Sequence, residues 1–300
     1  MRLKFLLWIV LCLSTPAWAA VSSVGPEKSV PAVVKVFGYS LHPAVNQLRP
    51  QSLQQLGSGV IVDNKNGLVV SNRHVLYRAQ HIMIIMPDGR RYHAKAIGDD
   101  AATDLIVLKV FGNALPEIAL GRSSHLQVGQ RIFTSGYPFG LDQTLTAGVI
   151  SGLHRHIGAN QYEDFIQIDA PINPGNSGGA LLNERGELLG ITAAIHTTIA
   201  PLGGNIGIGY VIPIDIVKAV YKQIFQYGHV MRGRLGVMVQ PLNADLASIY
   251  KVKPQGVLVS TVSPGSAAMH MGLKTEDVIV AMNGVAVEST NQLAAMVGVF

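Results

Sequence analysis

Three side chains in this sequence, a serine, a histidine and an aspartate, have the types that together perform nucleophilic catalysis. Ser177 lies in the glycine-rich stretch "INPGNSGGALL", which occupies residues 172 to 182. His74 lies in "SNRHVL", just after the apolar run "GLVVS", and Asp104 lies in "TDLIVL". Each is predicted at a strand end or in a loop, where a rigid scaffold commonly places functional side chains.

These three residue types are suited to acyl transfer. A serine hydroxyl is a weak nucleophile near neutral pH, so a neutral imidazole must accept its proton as it attacks a carbonyl carbon. A carboxylate on the other imidazole nitrogen selects the required tautomer and stabilises the imidazolium that forms. We therefore predict Ser177 as the nucleophile, His74 as the general base and Asp104 as the group that orients the base.

The glycines around Ser177 are predicted to shape an oxyanion hole. Successive glycines are unfavourable in regular elements, because each loses much backbone entropy on folding. They do allow the backbone to turn its N–H groups toward a reacting oxygen, and removal of one such donor typically costs about 3 kcal/mol of barrier. We predict the hole at Gly175, Asn176 and Ser177, with the N–H groups of Gly175 and Ser177 as donors.

Each of these residues alone also fits a structural role. His74 could be a core or surface histidine, Asp104 could cap the start of a strand, and "NSGG" could be a plain turn. Their combination favours the catalytic interpretation. The other histidines have no spacing typical of metal ligands, and His154 and His156 flank Arg155 as residues of a solvated loop would. We therefore expect no metal site and no cofactor.

The elements that must position these residues are predicted to be mainly β-strands. Glycine is abundant, at 32 residues, and β-branched residues are frequent, which favours short strands joined by tight turns. Hairpins are predicted at residues 59–71, around the turn 63–67, and at residues 81–100, around "PDG". Few helical stretches precede residue 213, so antiparallel barrels or sandwiches are expected.

Two further segments belong to this first domain, which we place at residues 27–228. Residues 40–56 lack periodicity and contain two prolines, so a surface loop is predicted there. The stretch "PIDIVKAVYKQIFQYG" is predicted to be a helix, because apolar positions recur at helical spacing. Pro213 lies near its start and Gly228 can end it.

A second, smaller α+β module is predicted at residues 233–300. Short helices are expected at "ADLASIYKV" and "STNQLAAMVGVF", with strands and turns between them. The chain ends at Phe300 inside an apolar run, so we expect a module truncated before its last strands.

The first twenty residues have the pattern of an export signal. Arg2 and Lys4 precede the apolar run "FLLWIVLCL", and the small residues of "AWA" form a cleavage site. The run is short for a membrane span, although an uncleaved anchor is the alternative. Cleavage would remove Cys12, the one cysteine of the chain, and a mature protein without disulfides suits a bacterial periplasm.

Composition favours a globular protein and excludes a nucleic-acid partner. The 300 residues are 48% hydrophobic and 14% charged, which is enough apolar material for more than one core. The formal net charge is +5, and it falls by two when the export signal leaves. Because the remaining charge is small and no block of Lys and Arg occurs, no nucleic-acid binding is predicted.

Several distant motifs, in the same order and spacing, resemble the HtrA/DegP-like family of periplasmic serine endoproteases. They are "GSGVIV", "GLVVSNRHVL", "TDLIVLKV", "GYPFGL", "TAGVISGL", "FIQIDAPINPGNSGGALLN" and "GGNIGIGYVIP". The likeness covers nearly all of residues 27–298, and the order His, Asp, Ser is that of chymotrypsin-type proteases. It implies two six-stranded β-barrels, with His74, Asp104 and Ser177 as the triad between them.

The second module resembles a PDZ domain of the same family through "RGRLGV" and "GVLVSTVSPGSAAMHMGLKTEDVIVAMNG". The resemblance implies that backbone N–H groups of Leu235, Gly236 and Val237 bind a peptide C-terminus. It also implies that the strand "ITAAIH" pairs with an extended substrate. The implied substrate-binding residues are Thr192, Ala193, Ala194, Ile195 and Ile208.

The resemblance also implies a substrate class and a setting. Pro171 stands six residues before Ser177, where trypsin-like proteases of basic specificity carry an acid, so cleavage after small aliphatic residues is expected. The implied function is ATP-independent proteolysis of unfolded or mislocalised envelope proteins in stress-related quality control, by a homotrimer or higher oligomer. The chain has no Walker motif. The alternative is a periplasmic chaperone or peptide-binding protein in which proteolysis is secondary.

Overall fold

The computed structural model describes residues 25–42, 51–193 and 205–299, which form two closed six-stranded barrels followed by a small α+β unit. The mainly β class with two barrels, predicted above, is confirmed. The predicted export signal, together with Ala194 and Ile195 of the predicted substrate strand, lies outside the described residues.

The first barrel has the strand order β1-β2-β3-β6-β5-β4. Its strands are β1 (Val33–His42), β2 (Gln51–Asp63), β3 (Leu68–Asn72), β4 (His81–Ile85), β5 (Arg91–Asp100) and β6 (Leu105–Val110). Both predicted hairpins form, since β2 pairs with β3 and β4 pairs with β5, each antiparallel. Their turns contain Gly67 at φ +61° and Gly89 at φ +87°, conformations that glycine adopts without a Cβ penalty.

The predicted surface loop at residues 40–56 is wrong at both ends, because residues 40–42 belong to β1 and residues 51–56 to β2. Residues 51–56 belong to β2, which pairs with β1 from the Val33↔Val60 pair to the His42↔Gln51 pair. The stretch is polar and has no alternating apolar pattern, so its sequence does not indicate a strand. The partner strand supplies the backbone hydrogen bonds that hold it, and a ladder of this kind does not require apolar side chains.

The second barrel has the strand order β10-β11-β12-β9-β8-β7. Its strands are β7 (Arg131–Gly136), β8 (Thr144–Arg155), β9 (Phe165–Ile168), β10 (Ala180–Leu182), β11 (Leu188–Ala193) and β12 (Gly209–Pro213). Helix α1 (Ile214–Tyr227) follows directly, as predicted. Gly228 ends the helix in the left-handed region, at φ +79°, and its N–H donates to the Ile224 carbonyl at 2.8 Å.

The α+β unit contains a three-stranded sheet, a two-stranded hairpin and three short helices. Its elements are β13 (Val237–Pro241), α2 (Ala244–Ile249), β14 (Val257–Val262), α3 (Ala267–His270), β15 (Val278–Ile279), β16 (Ala281–Met282), β17 (Val285–Ala286) and α4 (Thr290–Val299). Helix α4 packs on the first part of the chain, because Ala295 and Val299 are buried in the apolar cluster that also contains the α1 face. Arg232 Nη1 donates to the Gly298 carbonyl at 2.9 Å, next to this contact.

No helix in the part of the chain that the structure describes is long and apolar enough to cross a bilayer.

Of the solvated loop face predicted from the sequence, His156 is exposed after the end of β8, whereas His154 lies within β8 and is half-buried. The His154 side chain is only 27% exposed, and its Nδ1 lies 2.7 Å from Asp164 Oδ1, while Nε2 lies 3.9 Å from Glu288 Oε2. His156 Nδ1 lies 3.0 Å from the buried carboxylate of Glu163. Both histidines are therefore paired with carboxylates, and one of these carboxylates, Glu288, precedes α4 of the second unit.

The contact of His154 with Glu288 predicts a stability that depends on pH. Burial lowers the pKa of His154, but the hydrogen bond and charge of Asp164 and the charge of Glu288 outweigh it and raise the pKa above its usual value. A raised folded-state pKa gives stability that is fully present below the unfolded-state pKa and is lost as the pH rises through the folded-state pKa. We expect Glu288→Gln to lower the free energy of unfolding by at most about 1 kcal/mol at about pH 5.5, seen as a lower Tm, and hardly at all at about pH 8.5.

Glu184→Gln is the matched control for this pH measurement. Glu184 Oε1 lies 3.9 Å from Arg131 Nη1, and its side chain is 66% exposed, against 62% for Glu288. Its arginine partner stays charged throughout, so the effect of Glu184→Gln should not change between the two pH values. Equal effects of Glu288→Gln at both pH values would contradict the prediction.

Candidate active site

The first barrel places His74 and Asp104 side by side at the ends of two paired strands. Strands β3 and β6 are antiparallel neighbours, and their last pair is Asn72↔Leu105. The Arg73 N–H and the Asn72 Nδ2 both donate to the Asp104 carbonyl, at 3.0 and 3.1 Å. Because His74 follows one strand and Asp104 precedes the other, this pairing brings together two residues that are thirty positions apart.

Both carboxylate oxygens of Asp104 accept a hydrogen bond from His74. The His74 backbone N–H donates to Oδ1 at 2.9 Å, and the ring Nδ1 lies 2.6 Å from Oδ2. Asp104 has a φ of +58°, a left-handed conformation in which aspartate is enriched among residues with a Cβ. A carboxylate at Nδ1 requires a proton there, so the other ring nitrogen, Nε2, is left as the acceptor of the neutral imidazole.

The loop that carries Ser177 lies between β9 and β10 of the second barrel and begins with a tight turn. The Asn176 N–H donates to the Asn173 carbonyl at 3.0 Å, and Gly175 adopts φ +99° within that turn. A Cβ at Gly175 would collide with the Tyr137 carbonyl, so the position needs glycine for space as well as for conformation. The predicted contribution of Asn176 to an oxyanion hole is not supported, because its N–H is engaged within the turn.

The N–H groups of Gly175 and Ser177 have their directions set by the carbonyls that share their peptide units. The Pro174 carbonyl accepts from the Phe139 N–H at 2.6 Å, and the Asn176 carbonyl accepts from the Gly179 N–H at 2.8 Å. None of the peptide bonds in the described residues is cis. In a trans peptide the N–H points opposite to the C=O, so both N–H groups face away from these partners.

Gly57 of β2 allows the two barrels to approach each other at this point. A Cβ at Gly57 would lie 2.5 Å from Val75 Cγ1 and 3.0 Å from the Ser177 carbonyl oxygen. Val75 is the residue after His74, and the N–H of Ser58, the residue after Gly57, donates to the Ser177 carbonyl at 2.8 Å. The residue after the predicted base and the backbone of the predicted nucleophile therefore approach each other on either side of one glycine.

The Ser177 side chain makes no hydrogen bond within the described part of the chain. The residue is 4% exposed, whereas the His74 side chain is 45% exposed and the Asp104 side chain is 16% exposed. The cleft is thus open to solvent on its imidazole side. In substrate-free hydrolases the bond from nucleophile to base is often long, and it tightens when substrate binds.

Thr192, for which the resemblance implies pairing with an extended substrate, is hydrogen-bonded to the nucleophile loop. Its N–H donates to the Gly179 carbonyl at 2.9 Å, and its carbonyl accepts from the Gly178 N–H at 2.8 Å. Its hydroxyl donates to the Asn176 carbonyl at 2.5 Å. All of these groups hold the nucleophile loop, so the Thr192 N–H is not free for peptide pairing, and the structure gives no support for Thr192 as a substrate-binding residue.

Of the other predicted substrate residues, Ala193 and Ile208 lie within the described part of the chain. Ala193 is buried and pairs with Tyr210 of β12. Ile208 is half-buried and directly precedes Gly209, whose missing side chain leaves room for Ile172. Pro171 is exposed, and its carbonyl accepts from Thr146 Oγ1 at 3.1 Å.

In the second unit, the predicted carboxylate-binding residues line a cavity of about 720 Å³. Leu293 and Val297 of α4 also line it. The Leu235 carbonyl accepts from the Ala268 N–H at 2.9 Å, and the Gly236 carbonyl accepts from the Ser263 N–H at 2.8 Å. These bonds hold the loop, in which Gly236 adopts φ +81°. The residues of this loop that line the cavity are the three predicted ones, Leu235, Gly236 and Val237.

Ser58 and the segment 137–141 contact the nucleophile loop and support it, although neither is predicted from the sequence to do so. Ser58 lies between two glycines in "GSGVIV", and Phe139 has a left-handed φ of +53°. The glycines beside Ser58 were a usable signal, since each removes a Cβ at a close approach: Gly57 faces Ser177, and Gly59 faces Val36. Nothing in the sequence indicates which partner makes that approach.

Two family descriptions match the chain. The trypsin-like peptidase domain matches residues 57–191, which include the predicted triad. The PDZ domain matches residues 258–298. The second unit of the fold is therefore a PDZ domain, as its resemblance implied.

Curated relatives from bacteria are similar over most of this chain. The periplasmic serine endoprotease DegP of Escherichia coli (strain K12) is 45% identical over 251 residues, which are 83% of this chain and 52% of that protein. The probable serine protease do-like of Buchnera aphidicola is 44% identical over 253 residues, again 83% of this chain and 52% of that protein. The chain thus spans about half the length of these relatives.

Solved structures of an HtrA-type protease have the same architecture. AlgW with a decapeptide superposes with a TM-score of 0.68 and is 35% identical, over 91% of this chain and 88% of that chain. AlgW with a tripeptide gives a TM-score of 0.70 at 36% identity, over 91% of this chain and 86% of that chain. From the two barrels, the PDZ domain and these similarities together, we conclude that the chain belongs to the HtrA/DegP family of serine proteases.

Proposed function

We propose that this chain is a serine endopeptidase that cleaves polypeptides through an acyl-enzyme. The observation that carries the proposal is the pair of hydrogen bonds from His74 to the two oxygens of Asp104. They hold the ring with Nδ1 toward the carboxylate and leave Nε2 as the base for Ser177. The membership of the protease family supports the same reaction.

The reaction proceeds in two balanced halves. His74 Nε2 accepts the proton of the Ser177 hydroxyl while Oγ bonds to the scissile carbonyl carbon, and the imidazolium then gives that proton to the leaving amine as the C–N bond breaks. In the second half, a water molecule gives a proton to Nε2 and attacks the ester. The ester bond breaks, and Ser177 recovers its proton from His74.

The proposed oxyanion donors are the N–H groups of Gly175 and Ser177. Both face away from carbonyls that are hydrogen-bonded on the other side of their peptide units, which supports a hole that exists before substrate binds. Asn176 lies between the two donors and contributes no N–H. A preformed hole needs no rearrangement at the moment of reaction, which is the basis of its catalytic value.

We propose small aliphatic residues, rather than Lys or Arg, at the position before the cleaved bond. The support is the absence of an acid at Pro171 and the apolar character of Ile172 and Ile208. A buried basic side chain would have no compensating charge there. Ala193, Ala194 and Ile195 are proposed as the strand that pairs with the substrate.

The PDZ domain is proposed to bind peptide C-termini. The cavity between the Leu235–Val237 loop and α4 has the size and mixed lining that an extended peptide end requires, and backbone N–H groups of this loop are the proposed carboxylate donors. The domain bounds are proposed as residues 27–228 for the protease domain and 233–300 for the PDZ domain, preceded by an export signal at residues 1–20.

The proposed setting is the periplasm, where the chain would degrade unfolded or mislocalised proteins without ATP. Relatives carry the name periplasmic serine endoprotease, and the N-terminal sequence has the pattern of an export signal. Assembly into a homotrimer or higher oligomer is part of the proposal and rests on family resemblance alone.

Active-site labelling tests the function directly. We expect a fluorophosphonate, which phosphonylates serines activated by a neighbouring base, to modify the folded protein once, at Ser177, as mapped by peptide mass spectrometry. Prior incubation with a small-aliphatic peptide aldehyde should slow the labelling, and protein denatured in urea should not react. Labelling that is equally fast in the denatured protein, or at a different serine, would contradict the proposal.

A further inference from the structure

One residue of the first barrel is hydrogen-bonded to the nucleophile loop at two points and to the neighbouring Tyr137 at a third. Ser58 lies in β2 and is fully buried. Its hydroxyl donates to the Gly175 carbonyl at 2.7 Å and accepts from the Tyr137 N–H at 2.9 Å. Its own N–H donates to the Ser177 carbonyl at 2.8 Å.

The direction of the Ser58 hydroxyl proton follows from these partners. A carbonyl oxygen can only accept and a backbone N–H can only donate, so the hydroxyl donates to Gly175 and accepts from Tyr137. The hydroxyl therefore fixes the carbonyl of Gly175. The N–H of the same peptide unit, which belongs to Asn176, points the opposite way and completes the turn to the Asn173 carbonyl.

The same hydroxyl also acts on the peptide unit that precedes Gly175. It accepts from the Tyr137 N–H, which begins a short segment beside the loop. Two residues later in that segment, the Phe139 N–H donates to the Pro174 carbonyl at 2.6 Å. Phe139 maintains this bond in a left-handed conformation, at φ +53°, that is unfavourable for a residue with a Cβ. The Pro174 carbonyl shares its peptide unit with the Gly175 N–H, which is a proposed oxyanion donor.

We propose that the Ser58 hydroxyl is a positioning group that keeps the Gly175 N–H directed at the developing oxyanion. The inference rests on the proposed function. Ser58 would have no contact with substrate and would act through the two peptide units on either side of the Gly175 Cα. Without the hydroxyl, the Gly175 carbonyl and the Tyr137 N–H are left unpaired in a buried site, and a glycine at φ +99° can rotate its flanking peptides at little conformational cost.

The test compares Ser58→Ala with Ser40→Ala in hydrolysis of a small-aliphatic peptide substrate. Ser40 of β1 is 6% exposed, and its hydroxyl donates to the Arg78 carbonyl at 2.6 Å and accepts from the Gln80 N–H at 3.3 Å. It thus has the same bonding pattern at a distance from Ser177. We expect Ser58→Ala to lower kcat by about 10- to 100-fold with KM within about twofold, because a misdirected oxyanion donor weakens only transition-state binding. Ser40→Ala should keep the wild-type kcat.

Affinity for a peptide boronate separates positioning from a general loss of structure. The boronate forms a tetrahedral adduct with the nucleophile and places an oxygen in the oxyanion hole, so its Ki should rise by the same factor as kcat falls. The Tm of Ser58→Ala should fall about as far as that of Ser40→Ala. If kcat is unchanged in Ser58→Ala, or if kcat falls while the boronate Ki does not rise, the inference is overturned.

Crystal structures of the wild-type and Ser58→Ala proteins decide the inference without any activity. We expect the Gly175 or the Pro174 carbonyl to leave its present hydrogen bond in the variant, and unchanged positions of both would overturn the inference. If the alanine variant does not fold, Ser58→Cys replaces it, since a thiol has nearly the same shape and is a weak hydrogen-bond donor. A wild-type protein that hydrolyses nothing would refute the proposed function, while the structural comparison would still decide the role of Ser58.

Discussion

Ser177→Ala is expected to lower kcat for casein and for peptide substrates by about 10⁶-fold, because no other described group replaces the attacking hydroxyl. The substitution should not lower Tm, since the Ser177 hydroxyl makes no hydrogen bond within the described residues that the alanine would lose. Removal of a hydroxyl that has no hydrogen-bond partner in the protein leaves no donor or acceptor unpaired. The measurement is the initial rate of casein cleavage, with Tm recorded for the same preparations.

Peptide binding is the second readout for Ser177→Ala, and it separates the endopeptidase from the chaperone alternative. The cavity beside Leu235 and Val237 is in the PDZ domain, so the affinity for a labelled C-terminal peptide should be unchanged. Ser40→Ala, with a buried serine elsewhere in the first barrel, should retain both cleavage and binding. Equally slow casein degradation by the wild-type and Ser177→Ala proteins would contradict the enzyme proposal and leave a binding protein as the interpretation.

Asp104→Asn is expected to lower kcat by about 10⁴-fold through the tautomer of His74. The two oxygens of Asp104 accept from the His74 backbone N–H and from its ring. An asparagine has only one oxygen, and the backbone N–H cannot change its role, so the amide oxygen should turn to the backbone. The NH₂ group then donates to Nδ1, which places the ring proton on Nε2, and that nitrogen can no longer accept from Ser177.

The fold should survive Asp104→Asn, which makes the kinetic result interpretable. Asparagine tolerates the φ of +58° at this position about as well as aspartate, and the Asp104 carbonyl keeps its bonds from Arg73 and Asn72. The measurements are kcat, Tm and the nitrogen chemical shifts of His74, which report the tautomer. A variant that retains kcat within tenfold of the wild type, or that has its ring proton on Nδ1, would contradict this mechanism.

The sequence predicts those parts of the fold that local signals specify. The hairpin turns at Gly67 and Gly89 and the helix between Pro213 and Gly228 each depend on residues whose backbone preferences are strong, and all of them form. Residues 51–56 have no such signal. They become a strand because β1 pairs with them, and a tertiary partner of this kind is not visible in a short stretch of sequence.

For the candidate site, residue types and motif order predict the three side chains His74, Asp104 and Ser177. The directions of the backbone N–H and C=O groups around them are seen only in the structure. The N–H of Asn176 is taken by a carbonyl three residues earlier, and the backbone of Thr192 is taken by Gly178 and Gly179. Ser58 bonds to Gly175 across 117 positions of the chain. No spacing rule predicts contacts of this kind, because they arise only after two barrels have formed and docked.

The division of the site between the two barrels has a consequence for the period before folding is complete. The first barrel supplies the imidazole and the carboxylate, and the second supplies the hydroxyl and the oxyanion peptide, so neither half has the chemistry of the whole. Proximity effects are steep enough that a displacement of about 1 Å can reduce turnover about a hundredfold. Under the proposed reaction, a newly synthesised chain has no proteolytic activity until both barrels have folded and docked. This delay does not require a separate inhibitory segment.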